Sequence, residues 1–444
     1  MEKKAFNIDS KKVLIVIFIL ACLIRILFIS FSKIENFQYD VGVGNLNLEN
    51  AYERIFKRDE EVMIKDRHVD YILKIYETGK LPETNKVQQY HPPLYHIISA
   101  VWLKVIDIFY FSAEIRLESL QIPTCIYSIM TLFIIWKILD ELEIKNRIKI
   151  IAMSVCSFHP IFVYMSGLIN NDTLLTMFSI LSILYIIKWF KKQTYKNTIL
   201  LAIIIGLGTL TKSSMLVNLI MTVIAVFIKF LEVLYKEEYK KVKVIILQTL
   251  VFCLISIPLI LSFPIRNYIL FGQAPFAVHD AAIELYVGND DLISRFGIFN
   301  KEILNNTLGY KDQNVLSYVI KSAIVFETNR PDVFGTTFVK ILSIIFIVLA
   351  LISMIILLFS KDRKNLILIL SYILWIVFFV SFNYQMPNSC TMHARYIITG
   401  IVISIICLTK LVQEKNNKKL EIAIISFSTI YSISSMLLVL LNIF

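Results

Sequence analysis

The feature that most limits what this chain can fold into is a succession of apolar runs, each near twenty residues and set apart by short polar stretches. A hydrocarbon layer of about 30 Å takes about 20 helical residues to cross, and within it every backbone polar group must be satisfied inside the segment. The runs therefore read as transmembrane helices at about 13–31, 119–138, 150–168, 173–190, 198–211, 213–231, 244–264, 337–359, 365–383, 396–412 and 421–443. The expected fold class is an all-α polytopic membrane protein, a bundle of about eleven helices forming a single domain, 1–444. Composition agrees: 57% of the residues are hydrophobic, against roughly 45–50% in soluble chains. The first run has lysines before it and no small-residue cleavage site after it, so it reads as an uncleaved span. Five of the six cysteines fall in apolar runs and Cys390 stands alone, which leaves no disulfide framework and no CxxC pair.

A net charge of +11 raises the question of nucleic acid. The basic residues lie in small groups between apolar runs rather than in one stripe, the pattern of cytoplasmic anchors, and nucleic acid is excluded as a partner. Lys3, Lys4, Lys11 and Lys12 put the N-terminus in the cytoplasm by the same rule, which makes the polar segment 33–118 the first outer loop. The groups at Lys145–Lys149, Lys191–Lys196, Lys236–Lys243, Lys361–Lys364 and Lys415–Lys419 then all fall inside, provided that Pro92–Phe111 does not cross. His96, Ser99, Lys104 and Asp107 cluster on one face of that segment at helical spacing, which favours a helix lying in the interface. A competing topology, with the N-terminus outside and Pro92–Phe111 spanning, misplaces only the N-terminal lysines.

Within the first loop, Asp59-Glu60-Glu61 is expected to open a helix and Gly79 with Pro82 to end it. His68, Tyr71, Ile72, Ile75 and Tyr76 form its apolar stripe. The favoured topology also gathers unusual polar residues on the outer side. Asn170-Asn171-Asp172 lies between two spans, Lys212 and Arg266-Asn267 end two others, and His393, Arg395 and Tyr396 open the tenth. Lys212, Arg266 and Arg395 are cations at outer boundaries, against the positive-inside trend. Snorkelling toward headgroups accounts for any one of them, and a shared anionic partner such as a lipid phosphate accounts for all three. Asp40, just beyond the first span, is a carboxylate whose partial desolvation suits it to act as a base; a solvated interfacial Asp is the plainer alternative. Paired prolines fix the backbone after Tyr90-His91 and hold these two side chains at the mouth of the interfacial helix. His68 reads either as a packed histidine or as a residue shaping the site. His68, His91, His96, His279 and His393 all lie outside, yet no HExxH or comparable spacing links them, so no metal site is assigned and a divalent metal is left open.

Taken in order, Tyr39-Asp40-Val41-Gly42, His68-Val69-Asp70-Tyr71-Ile72, Gly79-Lys80-Leu81-Pro82 and Tyr90-His91-Pro92-Pro93-Leu94 resemble the first outer loop of GT-C glycosyltransferases. The branch is the bacterial one similar to protein O-mannosyltransferases and the lipid A aminoarabinose transferase. His159-Pro160, Ser166-Gly167, Asn170-Asn171-Asp172, Thr211-Lys212, Arg266-Asn267-Tyr268, Phe271-Gly272 and Ala394-Arg395-Tyr396 extend the likeness over roughly 13–400. The resemblance implies an integral-membrane enzyme of the cytoplasmic membrane and cell envelope. It would move a sugar from a polyprenyl-phosphate donor to an acceptor hydroxyl on the extracytoplasmic face, with inversion. The acceptor would be a protein, a lipid or a cell-wall glycan. It also implies that Asp40 is the catalytic base or acceptor-positioning acid, and that Asp172 is the acid of the second outer loop. Lys212, Arg266 and Arg395 would bind the donor phosphate, with His68, Tyr90 and His91 shaping the site. Two departures stand out: Arg67 precedes His68 where relatives often carry Gly, and Val41 follows Asp40 in place of a second acid. The outer stretch 267–335 is expected to serve acceptor binding or as a lid, with no residue singled out. A transporter of an anionic or lipid-linked solute is the competing reading; it calls for internal pseudo-symmetry, and the chain shows no repeat of fixed period.

Overall fold

The computed structural model describes residues 9–34, 43–44, 46–59, 61–62, 68–84, 87–276, 286–288, 291–298, 303, 308, 312–326, 334–360 and 362–443. Tyr39-Asp40-Val41-Gly42, Arg67 and His279 lie outside the described residues. Among the described residues there are helices and turns but no strand; Tyr286 and Asn388 form an isolated bridge. The chain starts with α1 (Ser10–Phe31), and the first loop carries α2 (Ala51–Phe56), α3 (His68–Thr78) and α4 (Leu94–Asp107). The bundle continues with α5 (Ala113–Glu118), α6 (Gln121–Glu141), α7 (Asn146–Phe158), α8 (Pro160–Tyr164), α9 (Asp172–Lys191), α10 (Tyr195–Thr209), α11 (Leu216–Tyr235) and α12 (Tyr239–Phe271). After α13 (Leu292–Phe296) and α14 (Val315–Ile324), it closes with α15 (Thr336–Leu358), α16 (Arg363–Gln385), α17 (Ile398–Lys415) and α18 (Lys418–Ile443).

Among the described residues, eight helices are long and apolar enough to cross a membrane: α1, α5 with α6, α9, α11 with the turn before it, α12, α15, α16 and α18. The protein is an integral membrane protein. The expected count of about eleven is not confirmed: three of the expected spans are not among these eight, each for a separate reason. The 150–168 run is divided into α7 and α8 at His159-Pro160, and α10 has only 15 residues. α17 carries Lys410, Glu414 and Lys415. The outward faces of α1 and α12 expose Ile15, Val16, Ile19, Leu250, Leu254 and Ile257, the apolar surface a bilayer covers. α9 is the opposite case, with 78% of its central window buried inside the protein; it packs on α6, α10 and α11 and is the axis of the bundle.

The break between α7 and α8 is local chemistry. Pro160 has no N–H to give the Cys156 carbonyl, and the Ile161 N–H turns to His159 Nδ1 at 3.4 Å instead of the Ser157 carbonyl. Arg25, fully buried in α1, occupies both vacated carbonyls, with Nη1 on Ser157 O at 2.9 Å and Nη2 on Cys156 O at 3.4 Å. Nη2 also reaches Phe162 O at 3.4 Å, and Nε donates to Ser128 Oγ at 2.8 Å. A cation at a helix C-terminus opposes the negative end of the dipole, so the charge in α1 caps a helix from elsewhere in the chain. Next to it, Gly167 is pressed so closely onto α1 and α6 that a Cβ would lie 2.6 Å from Gln121 Oε1 and 2.8 Å from Phe28.

One end of the bundle is tied by ion pairs. Lys191 holds Glu141 and Glu143, Lys364 holds Glu143, Lys410 holds Asp362, Arg363 holds Glu232, and Arg147 holds Glu421. These are the loops whose lysines were expected on one side. α9 runs away from this end, so its first residue, Asp172, stands roughly 30 Å distant at the usual 1.5 Å rise per residue.

Candidate functional site

Asp172 is the first residue of α9, where the helix dipole favours a carboxylate. The two asparagines before it set its surroundings. Asn170 Oδ1 accepts the Asp172 N–H at 2.9 Å, and Asn171 Nδ2 donates to the Thr211 carbonyl at 3.1 Å, fixing the turn after α10 against the start of α9. Lys212 follows Thr211, and its Nζ meets Asp172 Oδ1 at 2.5 Å. Arg395, in the short turn Ala394–Tyr396 before α17, places Nε 3.7 Å from Asp172 Oδ2. Both side chains of that pair are only 4% exposed. The Tyr396 ring lies beside both cations, 4.7 Å from Lys212 Nζ and 5.1 Å from the Arg395 guanidinium carbon, a cation–π arrangement that strengthens as water is excluded. Three segments some forty and some two hundred residues apart thus bring one acid and two cations together at the end of α9 opposite the ion-paired loops.

The first loop docks beside this cluster. Leu94 N–H, at the start of α4, donates to the Leu210 carbonyl at 3.0 Å, two residues before Lys212. α4 is too short to cross a bilayer, and its faces are sorted in an instructive way. His96 and Ser99 point into the protein, while Ile97, Val101, Val105, Ile108 and Phe109 are exposed. The one-sided polar pattern is therefore a protein-facing stripe for His96 and Ser99, and the apolar side is exposed. Lys104 departs from the stripe and is exposed, and Asp107 pairs with Arg116 at 2.5 Å.

α3 packs on α4 as its stripe predicts, with His68, Tyr71, Ile72 and Ile75 buried and Tyr76 half-buried, and it ends at Gly79 in the left-handed region (φ +66°). Its start corrects the expectation: the described helix begins at His68, and Asp59 serves a turn after α2, accepting the Glu61 N–H at 3.0 Å and pairing with Arg54. His68 Nδ1 lies 2.8 Å from His96 Nε2, so this histidine is held by a second imidazole. The Tyr71 ring stacks on His96 at 3.9 Å, and its hydroxyl donates to the His91 carbonyl at 3.4 Å. Burial pushes the His96 imidazole down to about 3 against the opposing Pro92 carbonyl, so it is neutral at physiological pH. Burial likewise raises the Tyr71 phenol, with the Arg266 charge pulling the other way. Tyr90 and His91 pack ring to ring at 4.2 Å at the mouth of α4.

Arg266 is placed differently from the other two cations. Its Nη2 donates to the Pro82 carbonyl at 2.6 Å and its Nη1 to Asn267 Oδ1 at 3.0 Å, between the rings of Phe263 and Phe271. It ties the Gly79–Pro82 turn to the end of α12 and takes no part in the ion pairs on Asp172. Among the described residues no group of three His, Cys, Asp or Glu side chains is disposed to hold a metal ion.

Residues 90–260 match the family described as dolichyl-phosphate-mannose-protein mannosyltransferase. Over this segment the chain is similar to glycosyltransferases of GT-C type. The matched segment holds Tyr90, His91, Asp172 and Lys212 and stops short of Arg266 and Arg395. The fold is similar to that of an oligosaccharyltransferase from Archaeoglobus fulgidus, solved as a complex with zinc and sulfate, at 12% identity and a TM-score of 0.47 over 95% of this chain and 52% of that one. It is also similar to ArnT from Cupriavidus metallidurans, solved bound to undecaprenyl phosphate, at 11% identity and a TM-score of 0.39 over 90% and 78%. This chain thus spans about half the length of the oligosaccharyltransferase. No curated protein sequence matches it.

Proposed function

We propose that this chain is a membrane glycosyltransferase that moves a sugar from a polyprenyl-phosphate donor to an acceptor hydroxyl on the extracytoplasmic face. The observation that carries the reading is the meeting of Asp172, Lys212 and Arg395 at the first turn of α9. Lys212 and Arg395 are the donor-phosphate cations. As the bond between the anomeric carbon and the phosphate oxygen breaks, the phosphodiester becomes a monoester and gains charge, which the two cations are set to stabilise. Asp172 holds both of them in register while the site is empty. The acceptor oxygen forms the new bond to the anomeric carbon from the opposite face, with inversion, and gives its proton to Asp40. Arg266, bonded to Pro82, keeps the first loop against α12; Tyr90 and His91 line the entrance beside Lys212, with His68 behind them. The family description, which names a dolichyl-phosphate sugar, supports the donor class. The placing of the ion-paired loops in the cytoplasm and of Asp172 outside follows from the lysine distribution.

The test is turnover of a panel of polyprenyl-phosphate sugars by the purified chain, comparing wild type with Asp40→Asn. Donor consumption that is lost in a normally folded Asp40→Asn protein is expected. Equal consumption by both proteins removes Asp40 from the mechanism, and no consumption of any donor by wild type removes the glycosyltransferase reading.

A further inference from the structure

The outer stretch between α12 and α15 contains one helix that is not peripheral. In α14 every residue from Ile320 to Ile324 is buried, as are Val315, Ser317 and Tyr318. The helix is pinned at both ends. Asn314 Oδ1 caps the Ser317 N–H at 2.8 Å while its Nδ2 donates to the carbonyls of Ser294 and Gly297. Lys321, fully buried, lies 3.0 Å from each Asp312 carboxylate oxygen. From this anchored helix Ser322 Oγ accepts the Ala394 N–H at 2.9 Å. The next backbone N–H, that of Arg395, is accepted by His393 Nδ1 at 3.1 Å. The His393 ring in turn packs edge-on against Phe326 at 5.0 Å and Tyr318 at 6.4 Å. Two successive amides of the turn that carries Arg395 are therefore fixed by side chains, one belonging to α14 and the other packed against aromatic residues in and just after it.

We infer that α14 is a positioning element: through Ser322 and His393 it sets the Arg395 backbone so that the guanidinium meets Asp172 and the donor phosphate. The phosphate half of this inference rests on the function proposed above. A planar guanidinium rewards correct aim more than a lysine does, because its paired donors work only at one orientation. Displacements of about 1 Å in a positioning shell are felt at the charge they serve. Lys212 reaches Asp172 from a different turn, so losing the hold of α14 should weaken the Arg395 contribution and leave that of Lys212 in place.

The experiment measures the affinity of the full chain in detergent for undecaprenyl phosphate, alongside melting temperature. Ser322→Ala and His393→Leu each remove one acceptor and are expected to weaken binding about five- to tenfold, the worth of one well-made hydrogen bond. Ser322→Thr and His393→Asn keep an oxygen for the same amide and should stay within about twofold of wild type. A merely packing role would lower the melting temperature without this split between acceptor-removing and acceptor-keeping variants, and would overturn the inference. If Lys212→Ala weakens binding while Ser322→Ala and His393→Leu bind as wild type does, the positioning role falls and the functional reading stands. If wild type binds no undecaprenyl phosphate, the functional reading falls and takes this inference with it.

Discussion

Arg25 on the one hand, and Lys212 with Arg395 on the other, are cations held among helices, and the two places solve the problem in opposite ways. Arg25 sits in the middle of α1 surrounded by the carbonyls of Ala21, Cys156, Ser157 and Phe162 and the hydroxyl of Ser128. Among the described residues no acid pairs with it. Its charge is matched by partial charges at the end of a broken helix, and its donors satisfy acceptors that Pro160 left bare. Lys212 and Arg395 converge instead on a single carboxylate at a helix N-terminus, beside the face of Tyr396. A charge whose donors end on backbone carbonyls is a structural cap. Cations gathered around one acid where α4 meets the turn after α10 are disposed to meet an anion. A charge at membrane depth marks function by default, and here its partners divide the cations proposed to bind the donor from the architectural one.

That contrast breaks most clearly on Lys212. Lys212→Met should lower donor turnover about 10²- to 10³-fold, the usual cost of removing one group that stabilises developing charge. Melting temperature should change little, since Asp172 keeps Arg395 and the α9 dipole. Steady-state turnover against circular dichroism melts checks this; a variant that unfolds while its folded fraction turns over normally would move Lys212 to the structural class. The converse variant is Arg25→Met. It strips the carbonyls at the α7–α8 break of their donors inside the bundle, and each buried acceptor left unpaired costs about 1–3 kcal/mol. The expected loss is about 3 kcal/mol or more of stability, with turnover per folded molecule unchanged. Denaturation in mixed micelles measures it, and a turnover defect in fully folded Arg25→Met protein would erase the distinction.

The same contrast explains what the sequence made legible. Run length exposes the helices, because the bilayer imposes it, and α9, α12, α15 and α16 lie close to where the apolar runs put them. Lys212 and Arg395 were visible because they stand at boundaries that lysine distribution marks as the wrong side. Arg25 was hidden: one charge in the apolar run 13–31 is averaged away, and its partners lie more than a hundred residues downstream. His159-Pro160 was the available signal, since a proline inside a helical run strands a carbonyl that something must satisfy. Asn314, a capping residue before Val315-Leu316, was the corresponding signal for α14. Arg266 was read by residue type together with its neighbours at the boundary. Its bond to Pro82 depends on how the first loop folds back over α12, which no local spacing encodes. The fate of the α4 stripe was equally hidden, because periodicity says that one face is polar and not whether water or protein receives it.

A third solution to burial sharpens the comparison by its smaller effect. His96 is surrounded by His68, Tyr71 and Tyr95 and stays uncharged, its imidazole pushed down to about 3. In the unfolded chain it titrates near 6.5. Between these values the unfolded state takes up a proton that the folded state refuses, so stability must fall as pH falls below about 6.5 and be flat above it. By pH 5 the loss is on the order of 2 kcal/mol. Melting temperature recorded from pH 7.5 to 5 for wild type and His96→Gln isolates the effect, because every other titrating group is common to both. Wild type should lose stability on acidification more steeply than the variant. Parallel curves would mean that His96 is protonated in place, and that the His68–His96 contact is one more charge held by its neighbours and not a group kept neutral by burial.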